Sequence, residues 1–384
     1  MNRIGLIFSI FLIFSQCSSP QELKVGADRM EEYLPLIEGK RVALVVNQTS
    51  RIGETHLADT LIRRGINIVK AMSPEHGFRG EAPDGEHIPD GKDSRTGVPI
   101  ISLYGKSKKP SPEQLADVDI LLFDIQDVGV RFYTFISTMH LIMEAGAEND
   151  IKVIVLDRPN PNGMYVDGPV RDESISSMVA MHPIPLVHGL TVGELANMIN
   201  KEGWLANRML SDLTVIPMQG WDHNQTYSLP VRPSPNLTND NSIALYPSLG
   251  LFEGTVVSIG RGTDHPFEMM GHPKYSKGTY TFTPQPNAGS KYPPLEGKES
   301  YGYFFGNEKA KRELTLRYLL DYHEDLKDDT TFFRSYIRLL SGSDDFQKQV
   351  ESGMSEAEIK ATWQPRLNEY KAMRKKYLLY PDFD

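Results

Sequence analysis

The chain has 384 residues, a formal net charge of −9 and one cysteine; 24% of its residues are charged and 40% are hydrophobic. That composition builds a globular protein with more than one lobe and excludes disordered, collagenous and disulfide-stapled classes. One cysteine makes neither an internal disulfide nor a thiolate zinc site, and the acidic balance opposes non-specific nucleic-acid binding.

The first sixteen residues pair a short basic start at Arg3 with an apolar run from Ile4 to Phe14. A run of about 10 apolar residues suits a secretory signal peptide, and a transmembrane helix needs roughly 20. Cys17 follows directly and resembles the lipidation site of a bacterial lipoprotein. The expectation is a signal peptide over 1–16, lipidation at Cys17 and a linker over 17–35. It puts the protein on the periplasmic side of the cell envelope, touching the membrane only through an N-terminal lipid anchor. A secretory signal with an incidental cysteine is the alternative.

An α/β pattern then begins. Arg41–Val46 is an apolar run of the kind that forms a buried parallel strand. His56–Arg64 carries Leu57, Leu61 and Ile62 at helical spacing, and Ile66–Ala71 predicts the next strand. Further strands are predicted at Ile100–Tyr104, Ile120–Asp124 and Lys152–Asp157, with a helix over Thr134–Glu148. Thr191 and Glu194 form a capping box that opens a helix to Glu202. Strands alternating with helices predict a Rossmann-like, mostly parallel sheet domain over 36–232. From about residue 225 prolines break the chain. A Gly- and aromatic-rich stretch follows to about Tyr303, then helical patterns at Glu308–Leu326 and Glu356–Lys376. Residues 233–384 read as a smaller α+β domain.

Ligands of open parallel sheets bind beyond the carboxyl ends of the strands. Polar residues gather there in four places: Asn47 with Thr49; Glu75, His76 and Arg79; Asp124, Asp127 and Arg131; and Asp157, Arg158 and Asn160. A fifth cluster holds Glu253 and Arg261 among glycines in the second domain. Each also has a structural reading. An Asp at a strand end caps helices, Asp124 and Asp127 could pair with Arg131, and Glu253 could pair with Arg261. The chain lacks a G-x-S-x-G elbow, a Walker loop, a G-x-G-x-x-G turn and an H-E-x-x-H helix.

Taken together, several strings resemble the exo-β-N-acetylmuramidase (NamZ) family, formerly domain of unknown function 1343. They include Val45-Val-Asn-Gln-Thr-Ser50, Pro74-Glu-His-Gly-Phe-Arg-Gly80 and Phe123-Asp-Ile-Gln-Asp-Val-Gly-Val-Arg-Phe-Tyr-Thr134. Ser102-Leu-Tyr-Gly105, Leu156-Asp-Arg-Pro-Asn-Pro161, His188-Gly-Leu-Thr191, Pro233-Ser-Pro-Asn236, Phe252-Glu-Gly-Thr255 and Gly260-Arg-Gly-Thr263 complete the set, and the resemblance spans about residues 36–384. It implies a hydrolase that releases N-acetylmuramic acid from the non-reducing end of peptidoglycan fragments, with its site between the domains and no cofactor. The alternative is a non-catalytic muropeptide-binding envelope lipoprotein.

Glycoside hydrolysis usually needs two carboxyl groups across the bond. Glu75 is the expected general acid and Glu253 the next choice, with Asp124 and Asp157 as further catalytic candidates. The lactyl carboxylate of muramic acid calls for a cation from Arg79, Arg131, Arg158 or Arg261. Asn47, Asn160 and Asn236 are candidates for hydroxyl or acetamido groups, with His76 and Asp127 beside them. No metal site is expected.

Overall fold

The computed structural model describes residues 22–79, 90–105, 107–328 and 331–383. The expected signal peptide and Cys17 lie outside the described residues.

Seven strands make the main sheet: β1 (Val42–Val46), β4 (Ile68–Ser73), β5 (Gly91–Lys92), β6 (Pro99–Ser102), β7 (Ile120–Asp124), β8 (Lys152–Leu156) and β9 (Leu213–Ile216). Their order is β5-β6-β4-β1-β7-β8-β9, and every pairing is parallel except that of the edge strand β5. From β6 through β1 to β9 this is the Rossmann order, which reverses direction at β1. A small hairpin of β2 (Arg51–Ile52) and β3 (Thr55–His56) follows β1.

All five residues of β1 and of β7 are buried, because helices cover both faces. Alternate side chains go to opposite faces. Ala43, Val45, Leu121, Phe123, Val153 and Val155 pack under α4 (Phe135–Glu148) and α5 (Val192–Lys201). Val42, Leu44, Val46, Leu122 and Ile154 pack under α1 (Met30–Ile37) and α2 (Leu57–Arg63). A short α3 (Pro112–Leu115) precedes β7. The Thr191–Glu194 capping box forms at the start of α5.

The second domain holds α6 (Asp240–Leu249), a three-stranded antiparallel sheet, and helices α7 (Arg317–Leu326), α8 (Tyr336–Ser341), α9 (Phe346–Glu351) and α10 (Glu356–Arg374). The sheet has the order β10 (Met269–His272), β12 (Ser300–Phe304), β11 (Tyr280–Phe282). Its core is continuous with the α4–α5 face of the main sheet, through Leu249, Phe252, Phe267 and Tyr322.

Three sequence expectations need correction. Residues from Lys24 to Tyr33 are not a linker: Lys24 and Gln219 exchange two backbone bonds of 2.9 Å, and Val25, Ala27 and Tyr33 are buried. Leu213–Ile216 adds an edge strand to the sheet. The helix expected from Glu308 starts only at Arg317. Asn241 bonds the backbone of Glu308 and Ala310, and Ser248 accepts from Thr315, so those groups are satisfied by α6 rather than by a helical turn.

A buried cation stitches the two domains together. Arg131 is 1% exposed and donates to four carbonyl oxygens: Pro169 (2.9 Å) and Ile184 (2.7 Å) of the first domain, Leu340 (3.1 Å) and Ser341 (2.6 Å) of the second. Arginine fits because its planar guanidinium presents donors in several fixed directions. Gly342 lets the chain come this close, since a Cβ there would sit 2.3 Å from Nη2 of Arg131. The residue expected to bind substrate therefore has a structural task. Arg131→Met should lower the unfolding free energy by about 3 kcal/mol or more, because it leaves buried carbonyls unpaired. Urea denaturation reads this, and an unchanged midpoint would refute it.

Candidate active site

The main sheet ends its strands on a cavity of about 370 Å³ that the second domain closes. Beyond β4 the chain makes a tight turn, with Gly77 N donating to Pro74 O at 3.1 Å. His76, the third residue of the turn, has φ +72°, a left-handed conformation that suits glycine or asparagine far better. Such strain is held by its surroundings and concentrates at functional sites. The turn sets Glu75 and His76 into the cavity wall.

The loop after β7 supplies Phe132, Tyr133 and Thr134, and α4 adds Phe135 and Thr138. Tyr133 is fixed by a 2.8 Å bond from its hydroxyl to Pro233 O. Tyr246 of α6 meets Phe132, Tyr133 and Phe267 edge to face, with ring centroids 5.0 to 6.0 Å apart. Aromatic faces with a few polar groups are the usual lining of a ligand pocket.

From the second domain come Glu253 and Arg261. Glu253 lies on the short helical turn Gly250–Gly254. A Cβ on Gly254 would be 2.6 Å from Cα of Ile337, so glycine is what lets this turn seat against α8. Arg261 donates from Nε (3.0 Å) and Nη2 (2.7 Å) to Oε1 of Glu253 and lies 5.1 Å above the Phe267 ring. The pair is one that the sequence offered as a structural reading, yet it sits on the cavity.

The other candidates go elsewhere. Asp124 is wholly buried and grips Arg158 through two bonds of 2.5 and 2.8 Å, so its partner is Arg158 and not Arg131. Asp157 accepts from Thr191 Oγ1, Gly193 N, Tyr380 hydroxyl and Arg158 N at the start of α5. Burial and the nearby Glu194 carboxylate push its pKa up to about 6, against the pull of those donors. Asn47 folds its own turn by accepting from Thr49, and Asp127 accepts from Gly129 N at 2.7 Å. Asn160 bridges Leu190 O and Asn162 N, and Asn236 donates to Gly289 O. Arg79 pairs with Asp59 and Asp93 on a separate surface beside His56 and Arg95. Its two carboxylates raise its pKa well above the ordinary value, Asp93 foremost.

Of the thirteen predicted catalytic and binding residues, the structure thus brings Glu75, His76, Glu253 and Arg261 to one cavity. The sequence reading missed Tyr104, Lys108, Tyr246 and Tyr336. Tyr104 stands two residues beyond β6, at the end of the strand expected over Ile100–Tyr104, and Lys108 lies in the loop beyond. Among the described residues no cluster of His, Cys, Asp and Glu could hold a metal ion, and no helix is long and apolar enough to cross a membrane.

The comparisons with known proteins agree on one family. The model for the N-terminal domain of exo-β-N-acetylmuramidase NamZ matches residues 42–241, and the model for its C-terminal domain matches residues 244–380. The peptidoglycan β-N-acetylmuramidase NamZ of Bacillus subtilis is 37% identical, over 95% of this chain and 93% of that protein. A crystal structure of a DUF1343 family protein from Bacteroides fragilis superposes with a TM-score of 0.87 at 45% identity, covering 94% of this chain and all of the other. A second such protein from the same organism gives 0.80 at 29% identity, covering 93% of this chain and 99% of the other. The chain belongs to the NamZ family of exo-β-N-acetylmuramidases.

Proposed function

We propose that the cavity between Glu75 and Glu253 is where this exo-β-N-acetylmuramidase cleaves N-acetylmuramic acid from the non-reducing end of peptidoglycan fragments. The observation that carries the assignment is the meeting of two carboxyl groups from different domains on one aromatic-lined cavity. The roles follow from their partners. A carboxylate held by a guanidinium is fixed in orientation, as a nucleophile or base beside the anomeric carbon must be. Glu253, held by Arg261, takes that role. Glu75, aimed by its strained turn, protonates the glycosidic oxygen as the bond breaks.

The roles separate by leaving group. p-Nitrophenolate leaves without protonation, whereas a sugar alkoxide does not. Glu75→Gln should slow release of N-acetylglucosamine from a muramic acid disaccharide by about 10² to 10⁴ and slow a p-nitrophenyl muramic acid glycoside far less. Glu253→Gln should slow both alike. Near-wild-type turnover of the disaccharide by Glu75→Gln would reject the acid assignment.

The lactyl carboxylate needs a cation. Arg79, Arg131 and Arg158 are committed to other partners, and Arg261 is engaged by Glu253. Lys108 is the remaining cation on the cavity wall, and it is exposed at its rim. An exposed ammonium–carboxylate contact contributes at most about 1 kcal/mol. Lys108→Ala should therefore raise the KM for muramic acid glycosides about fivefold with kcat held, and leave inhibition by N-acetylglucosamine unchanged. Equal losses for both sugars would remove Lys108 from carboxylate recognition.

The sequence of residues 1–17 supports an envelope location with a lipid on Cys17, which would put the enzyme where wall fragments occur. Cys17→Ser should shift the protein from the membrane fraction to the soluble periplasm. An unchanged distribution would show that the cysteine is incidental.

A further inference from the structure

The second domain carries a separate groove of about 410 Å³, comparable to the cleft itself. One loop divides the two. Arg261 faces the cleft, and the next residues, Gly262 to His265, line the groove. That loop is pinned by Gln285 N to Gly262 O (2.9 Å) and by Asn287 Nδ2 to Thr263 O (3.2 Å).

The groove has an aromatic floor. Tyr280 lies on the edge strand β11 and is 38% exposed, so its ring is open to a ligand. It stacks on Phe304 at 5.1 Å and 23° between planes, while His265 meets the same Phe304 ring edge-on at 5.0 Å. Phe282, two residues along β11, lines the groove as well. Asp264, Gln285 and Asn287 add hydrogen-bonding groups, and no lysine or arginine is among the lining residues. An apolar ring face with amides and a carboxylate, and no cation, suits a neutral sugar better than an anion.

We infer that this groove binds the leaving-group side of the substrate, as a subsite for a neutral aminosugar of the glycan chain. The inference rests on the muramidase reading above. An exo-acting enzyme holds the terminal sugar in its cleft, so the rest of the chain emerges from the leaving-group side. The groove lies one loop away, is of similar size and has no lysine or arginine in its lining. A sugar there presents its apolar C–H face to Tyr280 and its hydroxyl and acetamido groups to Asp264 and Asn287.

The test compares substrates of different length: a p-nitrophenyl N-acetylmuramic acid glycoside, which does not reach the groove, and a six-sugar oligosaccharide of alternating N-acetylmuramic acid and N-acetylglucosamine. Tyr280→Ala should lower kcat/KM on the hexasaccharide about tenfold, mainly through KM, and keep the wild-type rate on the glycoside. Tyr280→Phe should restore the hexasaccharide rate, since the ring face is kept. Thr283→Trp, at an exposed position in the groove, should obstruct it and reproduce the selective loss without touching the core. The glycoside rate certifies that each variant is folded. Variants that process both substrates like wild type, or that lose both equally, would overturn the groove assignment while leaving the muramidase reading intact. A wild-type protein inactive on both would overturn both.

Discussion

A guanidinium buried among four carbonyl oxygens is the constraint around which this molecule is built. Arg131 follows the loop at the end of β7, and two of its acceptors lie about 210 positions later in the chain. An isolated buried cation would cost far more than folding could supply, so the charge is tolerable only when both domains close around it. The same closure brings Glu253 across to the strand ends that carry Glu75. The domain arrangement and the cleft therefore share one physical origin.

The polar residues at the strand ends obey the same logic at smaller scale. Asp124 and Arg158 neutralise each other beneath the sheet edge, and Asp157 satisfies the first turn of α5. These networks leave the loops rigid. A rigid rim is what allows a single strained turn, with His76 left-handed, to hold Glu75 in place.

Much of the fold was legible in the chain. Val42–Val46, Ile120–Phe123 and Val153–Leu156 are unbroken apolar runs because both their faces are covered, and Thr191 with Glu194 announces α5. Leu213–Ile216 was hidden because an edge strand of four residues is too short for periodicity to show. The stretch after Glu308 misled because side chains of α6, distant in sequence, satisfy its backbone. The cleft was half legible. Strand-end rules found Glu75, but they could not separate it from Asp124 or Asp157, since all three follow or end a parallel strand. What distinguishes them is the partner each meets, and those partners come from other strands, from α5 or from the chain's last residues. Lys108 and Tyr246 gave no signal, because a loop lysine and a helical tyrosine look ordinary until the chain folds around them.

Residues 379–381 bear on how the two domains depend on each other. Tyr380 donates to Asp157 and accepts from Met218 N, Leu379 N donates to Glu194, and Pro381 O accepts from His223 N. All of these partners are buried in the domain that leaves the ribosome first. The Rossmann sheet is built from strands close in sequence, yet Asp157 and Glu194 take donors that lie 223 and 185 positions further along the chain. The first domain is thus not closed by its own residues, and its buried carboxylates couple its completion to the folding of the second.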